Sequence, residues 1–185
     1  MKKGSIFIII IIIINACSLN NKKYYYALYY EDFETPSNYL LKEFSGDQNN
    51  RRVKTFNYDS LKVGELINSE QFYIEDGTLY KFERKDDSLL KKKYLSTSTT
   101  ECINYDFENE EVNDMLSTKI CFLDKVTDTA DNILIRNSYK FKKYQGKQHV
   151  IESYVYYDED LILLMEEYIS GYTSNYKIVR LDGKP

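Results

Sequence analysis

Runs of strand-forming residues recur through this chain at roughly ten-residue spacing, each ended by a turn signal. That rhythm leaves room for little except an antiparallel meander. Its clearest unit is residues 71–84 (QFYIEDGTLYKFER), where Asp76-Gly77 supplies the two positive φ values that a two-residue primed turn requires. Residues 137–144 and 148–157 flank a three-residue connection, Gln145-Gly146-Lys147. Glu159-Asp160 then separates Tyr157 from residues 161–168, and Ser170-Gly171 separates those from 176–181. Residues 161–165 are apolar at every position, which predicts a central strand covered on both faces. Residues 51–58 read as a strand with Val53 and Asn57 on one side and Phe56 and Tyr58 on the other. Residues 23–33, aromatic on both faces, read as a strand covered on two sides.

Two segments carry helix signals. Thr35 can cap, Pro36 suits a first helical position and Gly46 can close the end, with Tyr39, Leu40, Leu41 and Phe44 as the apolar face. In residues 109–116, Asn109 can cap, Glu110 and Glu111 suit the positive end, and Val112, Met115 and Leu116 share a face. The expected fold is therefore mainly β (α+β): an antiparallel meander forming a curved sheet, with one or two short helices packed on it. Nineteen Tyr and nine Phe suit such a pleated, half-buried surface.

The first seventeen residues have a different logic. Lys2 and Lys3 precede an unbroken apolar run from Ile6 to Ile14, followed by Asn15-Ala16-Cys17 and a polar stretch. A basic start, a short apolar core and a small residue before the cut make a secretory signal. The core is about half of the ~18–20 residues needed to span a bilayer. Ile14-Asn15-Ala16-Cys17 resembles the lipobox of bacterial lipoproteins. The resemblance implies cleavage before Cys17, a diacylglyceryl thioether on its sulfur and an acylated amino terminus. Several acyl chains together make attachment effectively permanent. Ser18, which is not acidic, resembles the sorting pattern for the outer membrane, and the absence of acidic residues in 18–23 favours its periplasmic leaflet. Three segments result: 1–16, the signal peptide; 17–23, the lipidated cysteine and a polar tether; and 24–185, a single antiparallel β domain.

Loss of the signal leaves 23 basic against 29 acidic residues, a net charge of −6. An acidic chain argues against nucleic acid as a partner, because phosphates demand a basic footprint. It also leaves the acyl chains to supply the membrane affinity.

Cys102 and Cys121 are the remaining thiols, and they lie in two strand-like runs, 99–107 and 117–123. If these pair antiparallel with residue numbers summing to 223, Cys102 faces Cys121, Ile103 faces Ile120 and Tyr105 faces Thr118. That register gathers Ile103, Tyr105, Phe107, Ile120 and Phe122 on one side and places both cysteines with Asn104, Asp106 and Lys119 on the other. Burial and covalent geometry thus select one pairing, and an oxidising compartment predicts a disulfide.

The other constellations read more simply as structure. His149 is the sole histidine, so neither a zinc site nor a catalytic triad is expected. The acidic groups at 106–111 and 158–160 lack the spacing of a calcium loop and read as solvated turns. Lys140, Lys142, Lys143 and Lys147 read as the polar face of an edge hairpin, where lysine discourages strand addition. No catalytic residue, metal or cofactor is expected. The function expected is that of an outer-membrane-anchored, non-enzymatic lipoprotein whose β domain binds an envelope partner or ligand. The alternatives are a lipid-handling module, similar in architecture to lipoprotein-localisation factors, and an immunity or inhibitor lipoprotein against a toxic protein.

Overall fold

The computed structural model describes residues 22–30, 34–47, 49–59, 62–85, 88–106, 117–127, 129–130, 132–146, 151–170 and 176–185. Among the described residues twelve strands follow one another: β1 (Lys22–Tyr30), β2 (Asn38–Gly46), β3 (Asn50–Asp59), β4 (Lys62–Glu75), β5 (Thr78–Lys85), β6 (Ser88–Ser96), β7 (Ile103–Asp106), β8 (Ser117–Lys125), β9 (Tyr139–Gln145), β10 (Ile151–Tyr157), β11 (Leu163–Ser170) and β12 (Tyr176–Leu181). All pair antiparallel in one sheet of order β6-β5-β4-β3-β2-β1-β12-β11-β10-β9-β8-β7. Every strand ladders with its neighbours in sequence except β6 and β7, and the first and last strands pair with each other. The sheet curls until its two edges, β6 and β7, lie side by side, giving a nearly closed barrel.

The sheet itself stands as expected, but the helices do not. Among the described residues the sole helical element is a 3-10 turn, Ile133–Ile135. The segment read as a Pro36 helix is β2, paired Tyr26 to Leu40 and Leu28 to Asn38. Its cap signals are used for a tight turn instead: Ser37 N–H and Oγ both donate to the Leu28 carbonyl, at 2.7 and 3.0 Å. Gly46 takes φ 102° at the turn into β3, where Asp47 Oδ1 accepts from the N–H groups of Asn49 and Asn50. Between these turns Leu40, Lys42 and Phe44 alternate with Tyr39, Leu41 and Glu43, and the open edge of β1 captures the segment as a strand. Residues 1–21, 109–116, Lys147 and His149 lie outside the described residues, so the second helix falls there. Lys22 and Lys23, read as tether, are the first residues of β1.

The core fills the barrel. Leu79, Leu95, Ile120, Phe141 and Leu161 form one cluster beside the β6–β7 edges, and Phe44, Val53 and Ile162 form another. Tyr26, Leu28 and Ile178 make a third. A satellite lies on the outer wall, where the 3-10 turn lays Leu134 and Ile135 over Tyr156, Leu164 and Met165. That cover explains the all-apolar run: Leu164 and Met165 are buried outside the barrel, Leu161 and Ile162 inside it.

Elsewhere the outer wall is polar. Lys23 meets Glu43 at 2.7 Å across β1–β2, Lys142 meets Glu152 at 2.9 Å across β9–β10, and Lys177 meets Glu167 at 3.6 Å across β11–β12. Lys140 lies 4.2 Å from the Tyr154 ring centroid. The hairpin carrying these lysines is not an edge, because β9 sits between β8 and β10. Lys143 departs from the polar face altogether and points inward.

Candidate functional site: an ion-lined cavity inside the barrel

Polar side chains occupy inward positions in phase with the apolar ones. Lys42 lies between Leu40 and Phe44 on β2, Arg51 precedes Val53 on β3, Glu70 precedes Phe72 on β4, and Lys143 follows Phe141 on β9. Glu166 reaches the interior by an irregularity. The β10–β11 register shifts between Tyr156 and Tyr157, so that Tyr157 faces Leu163 while Tyr156 faces Met165. Leu164 is the additional residue, and the one-step change of phase turns Glu166 inward opposite Val155.

Lys42, Arg51, Glu70 and Glu166 border a cavity of about 160 Å³, with Lys143 behind Glu166. Its apolar walls include Phe44, Val53, Phe72, Leu79 and Ile178, and its phenols are Tyr26, Tyr94 and Tyr157. Both carboxylates already have cations. Glu166 Oε1 accepts from Lys143 Nζ at 2.9 Å and from Ser153 Oγ at 3.0 Å. Glu70 Oε1 pairs with Lys81 Nζ at 2.7 Å. Burial works against the Lys143 ammonium, but the Glu166 charge together with Tyr94, Tyr168 and the Glu166 hydrogen bond more than offsets it, leaving the Lys143 pKa raised. Burial pushes Tyr157 well above the usual phenol range, helped by Tyr94 and Glu166.

Lys42 differs from the other cavity cations. Its Nζ sits 5.1 Å from the Tyr26 ring centroid, and among the described residues no carboxylate lies within ion-pair distance of it. Burial lowers its pKa despite the opposing fields of Glu70 and Glu166, and the neighbouring Lys143 adds to the lowering.

One end of the cavity is stopped by the β10–β11 connection. Asp158 organises it: Oδ1 accepts from the N–H groups of Asp160 and Ile162 at 3.1 and 2.8 Å, and Oδ2 pairs with Arg180 at 2.6 Å. Leu161 takes φ 55°, an uncommon value for a bulky residue. Arg51, 3% exposed, donates to the Asp160 carbonyl. Leu161 and Ile162 are thereby pressed into the core as a plug. The acidic group at 158–160, read as a solvated turn, is in part a structural clasp, although Glu159 does reach outward to Lys125.

Cys102 and Cys121 are joined, with Cα atoms 4.1 Å apart, and neither borders the cavity. The β7–β8 register pairs Ile103 with Ile120 and Tyr105 with Thr118, the pairing that sums to 223. The Cα separation is shorter than the ~4.5–5.5 Å of directly opposed strand residues, and Cys102 lies just before β7 rather than within its ladder. Side chains seal the adjoining edges. Tyr94 of β6 packs edge-on against Tyr105 of β7 at 5.5 Å, and Tyr105 donates to Glu83, which also holds Lys92 at 2.8 Å.

Cys17, the expected lipidation site, lies outside the described residues. Among the described residues no group of three or more His, Cys, Asp or Glu is placed to hold a metal ion. The cavity residues escaped sequence reasoning; the available signal was a charged residue in phase with apolar neighbours, as in Leu40-x-Lys42-x-Phe44. The sequence matches no known family model and no curated protein.

Proposed function

We propose that this chain is a lipid-anchored envelope protein, held by acyl chains on Cys17 at the periplasmic face of the outer membrane, whose barrel binds an envelope ligand without transforming it. The observation that carries the reading is the outer wall. Lysine–glutamate pairs on β1–β2, β9–β10 and β11–β12 face outward, and charges on a lipid-facing wall cost about 2–4 kcal/mol each for Lys or Arg at the midplane. A barrel with this wall is suited to water outside, which supports attachment through a segment beyond the barrel, the role proposed for the Ile14–Cys17 lipobox. The cavity supports binding over lipid transfer: at about 160 Å³ with two cations and two carboxylates on its border, it has room for a ring and not for an acyl chain.

Metabolic labelling with a fatty-acid probe tests the anchor. Wild type should be labelled and remain with outer membranes through alkaline extraction. Cys17→Ser should lose the label and be released. Label persisting on Cys17→Ser removes the lipidation reading, and an unlabelled Cys17→Ser that still resists extraction means the barrel itself is embedded.

A further inference from the structure

We infer that the cavity binds one small organic monoanion, a carboxylate on a compact apolar body, with the carboxylate seated on the Lys42 ammonium. The inference rests on the ligand-binding half of the proposed function and is independent of the anchor.

Charge balance is the first argument. The cavity border carries Lys42 and Arg51 against Glu70 and Glu166. Both carboxylates are neutralised from behind by Lys81 and Lys143, and Arg51 lies in the field of Asp160 and Asp158, so the cation to be matched on the border is Lys42. Arg51 spends a donor on the Asp160 carbonyl of the plug. Lys42 has only the Tyr26 ring. Lys42 is half-buried, and an ammonium drawn out of water without an acceptor is costly unless something pairs with it; the cavity beside it offers the space.

Size and lining fix the rest of the ligand. A cavity near 150 Å³ accommodates a benzene ring, and this one measures about 160 Å³. Phe44, Val53, Phe72, Ile162 and Ile178 supply apolar contact for such a body. Glu70 and Glu166 stand on the same border, so a second negative charge on the ligand would face two carboxylates after Lys42 has paired with the first. A dianion such as phosphate is therefore excluded, and a monocarboxylate fits.

Benzoate is the probe, with benzyl alcohol and benzylamine as neutral and cationic controls of matching shape. Titration calorimetry on the full chain in non-ionic detergent should give one benzoate per chain. Benzyl alcohol should bind at least about tenfold more weakly, the loss of one charge-assisted contact. Lys42→Met should lose benzoate to the same degree, while Lys42→Arg retains part of it. In wild type, the Lys42 side-chain NMR signals should shift on adding benzoate, a readout that does not depend on any variant folding. Equal binding of benzoate and benzyl alcohol overturns the proposal, as does full binding by Lys42→Met, an unmoved Lys42 signal, or no benzoate binding at all. Each of these leaves the labelling result at Cys17 untouched.

Discussion

Removing either partner of the Lys143–Glu166 pair should destabilise the barrel far more than removing both. The two groups meet at 2.9 Å with side chains 12% and 10% exposed, and Ser153 adds a second bond at Glu166 Oε1. At an effective dielectric near 20, their attraction is roughly 6 kcal/mol, and desolvation of two ions offsets several kcal/mol of it. The net value of the pair is consequently small. Breaking it is another matter, because a lone buried charge keeps its desolvation cost and loses its compensation, typically about 3–5 kcal/mol. Glu166→Gln should cost toward the lower end, since Gln still accepts from Ser153 while Lys143 is stranded beside Lys42. Lys143→Met should cost a similar amount by stranding the carboxylate. The double variant should cost no more than about 2 kcal/mol. Urea unfolding of the four proteins, with slopes compared to establish a common two-state transition, yields the coupling energy directly. If the two single costs sum to the double within about 0.5 kcal/mol, the pair is uncoupled and the electrostatic account of the interior fails.

Replacing Cys102 and Cys121 together by Ala removes a cross-link across 19 residues of sequence; in the chain-entropy model this should cost roughly 3 kcal/mol, about 6–12 °C of melting temperature at this size, and a loss below about 1 kcal/mol would contradict it. Gly77→Ala should cost more than about 1 kcal/mol, because Gly77 has φ 70° and an added Cβ would stand 2.6 Å from Thr97 Oγ1; an unchanged urea midpoint would disprove that strain. Lys42→Met should be more stable than wild type near neutral pH. The Lys42 pKa is lowered by burial against Glu70 and Glu166, so the unfolded chain holds its proton more tightly and wild-type stability rises with pH between the folded value and the model value of 10.5. The other groups around Lys42, among them Arg51, the phenols of Tyr26, Tyr94 and Tyr157 on the cavity border and Lys143 behind it, are common to both proteins. The gap between the two urea midpoints should narrow as pH rises, and a gap that widens would reverse the argument.

What the sequence revealed was wherever a local signal and a packing constraint coincide. Asp76 and Gly77 have φ 49° and 70° and join β4 to β5 by the two-residue turn read from their identities. The β7–β8 register was legible because a covalent constraint and an apolar row agree on it. At β2 the same residues that favour a helix start also make a tight turn, and the decision fell to β1, whose edge needed a partner. β6 went unread because its Leu89-Leu90-Lys91-Lys92-Lys93 has no alternation, and the first half of β4 because Lys62–Ser69 is exposed on both sides. The cavity was hidden for a deeper reason. A charged residue in a strand looks outward by default, and the inward phase of Glu166 depends on a register shift at Leu164 that no local pattern announces.

Closure of the barrel connects that interior to the proposed anchor. β1 and β12 stand at the middle of the strand order, six strands counted to each side, so both ends of the described chain meet there. β1 ladders on both flanks, from Tyr25 with Leu181 to Tyr30 with Tyr176 on one and from Lys22 with Phe44 to Leu28 with Asn38 on the other. A tether entering at Lys22 thus pulls on a strand held by two ladders. The edges that lack a shared ladder, β6 and β7, are the farthest point around the barrel from that strand. There the contact is made by side chains, Tyr94 against Tyr105 and Tyr105 to Glu83, rather than by a backbone ladder. The strand that would receive the proposed tether and the seam between β6 and β7 therefore lie on opposite sides of the barrel, so a pull on Lys22 would load two backbone ladders and not the seam.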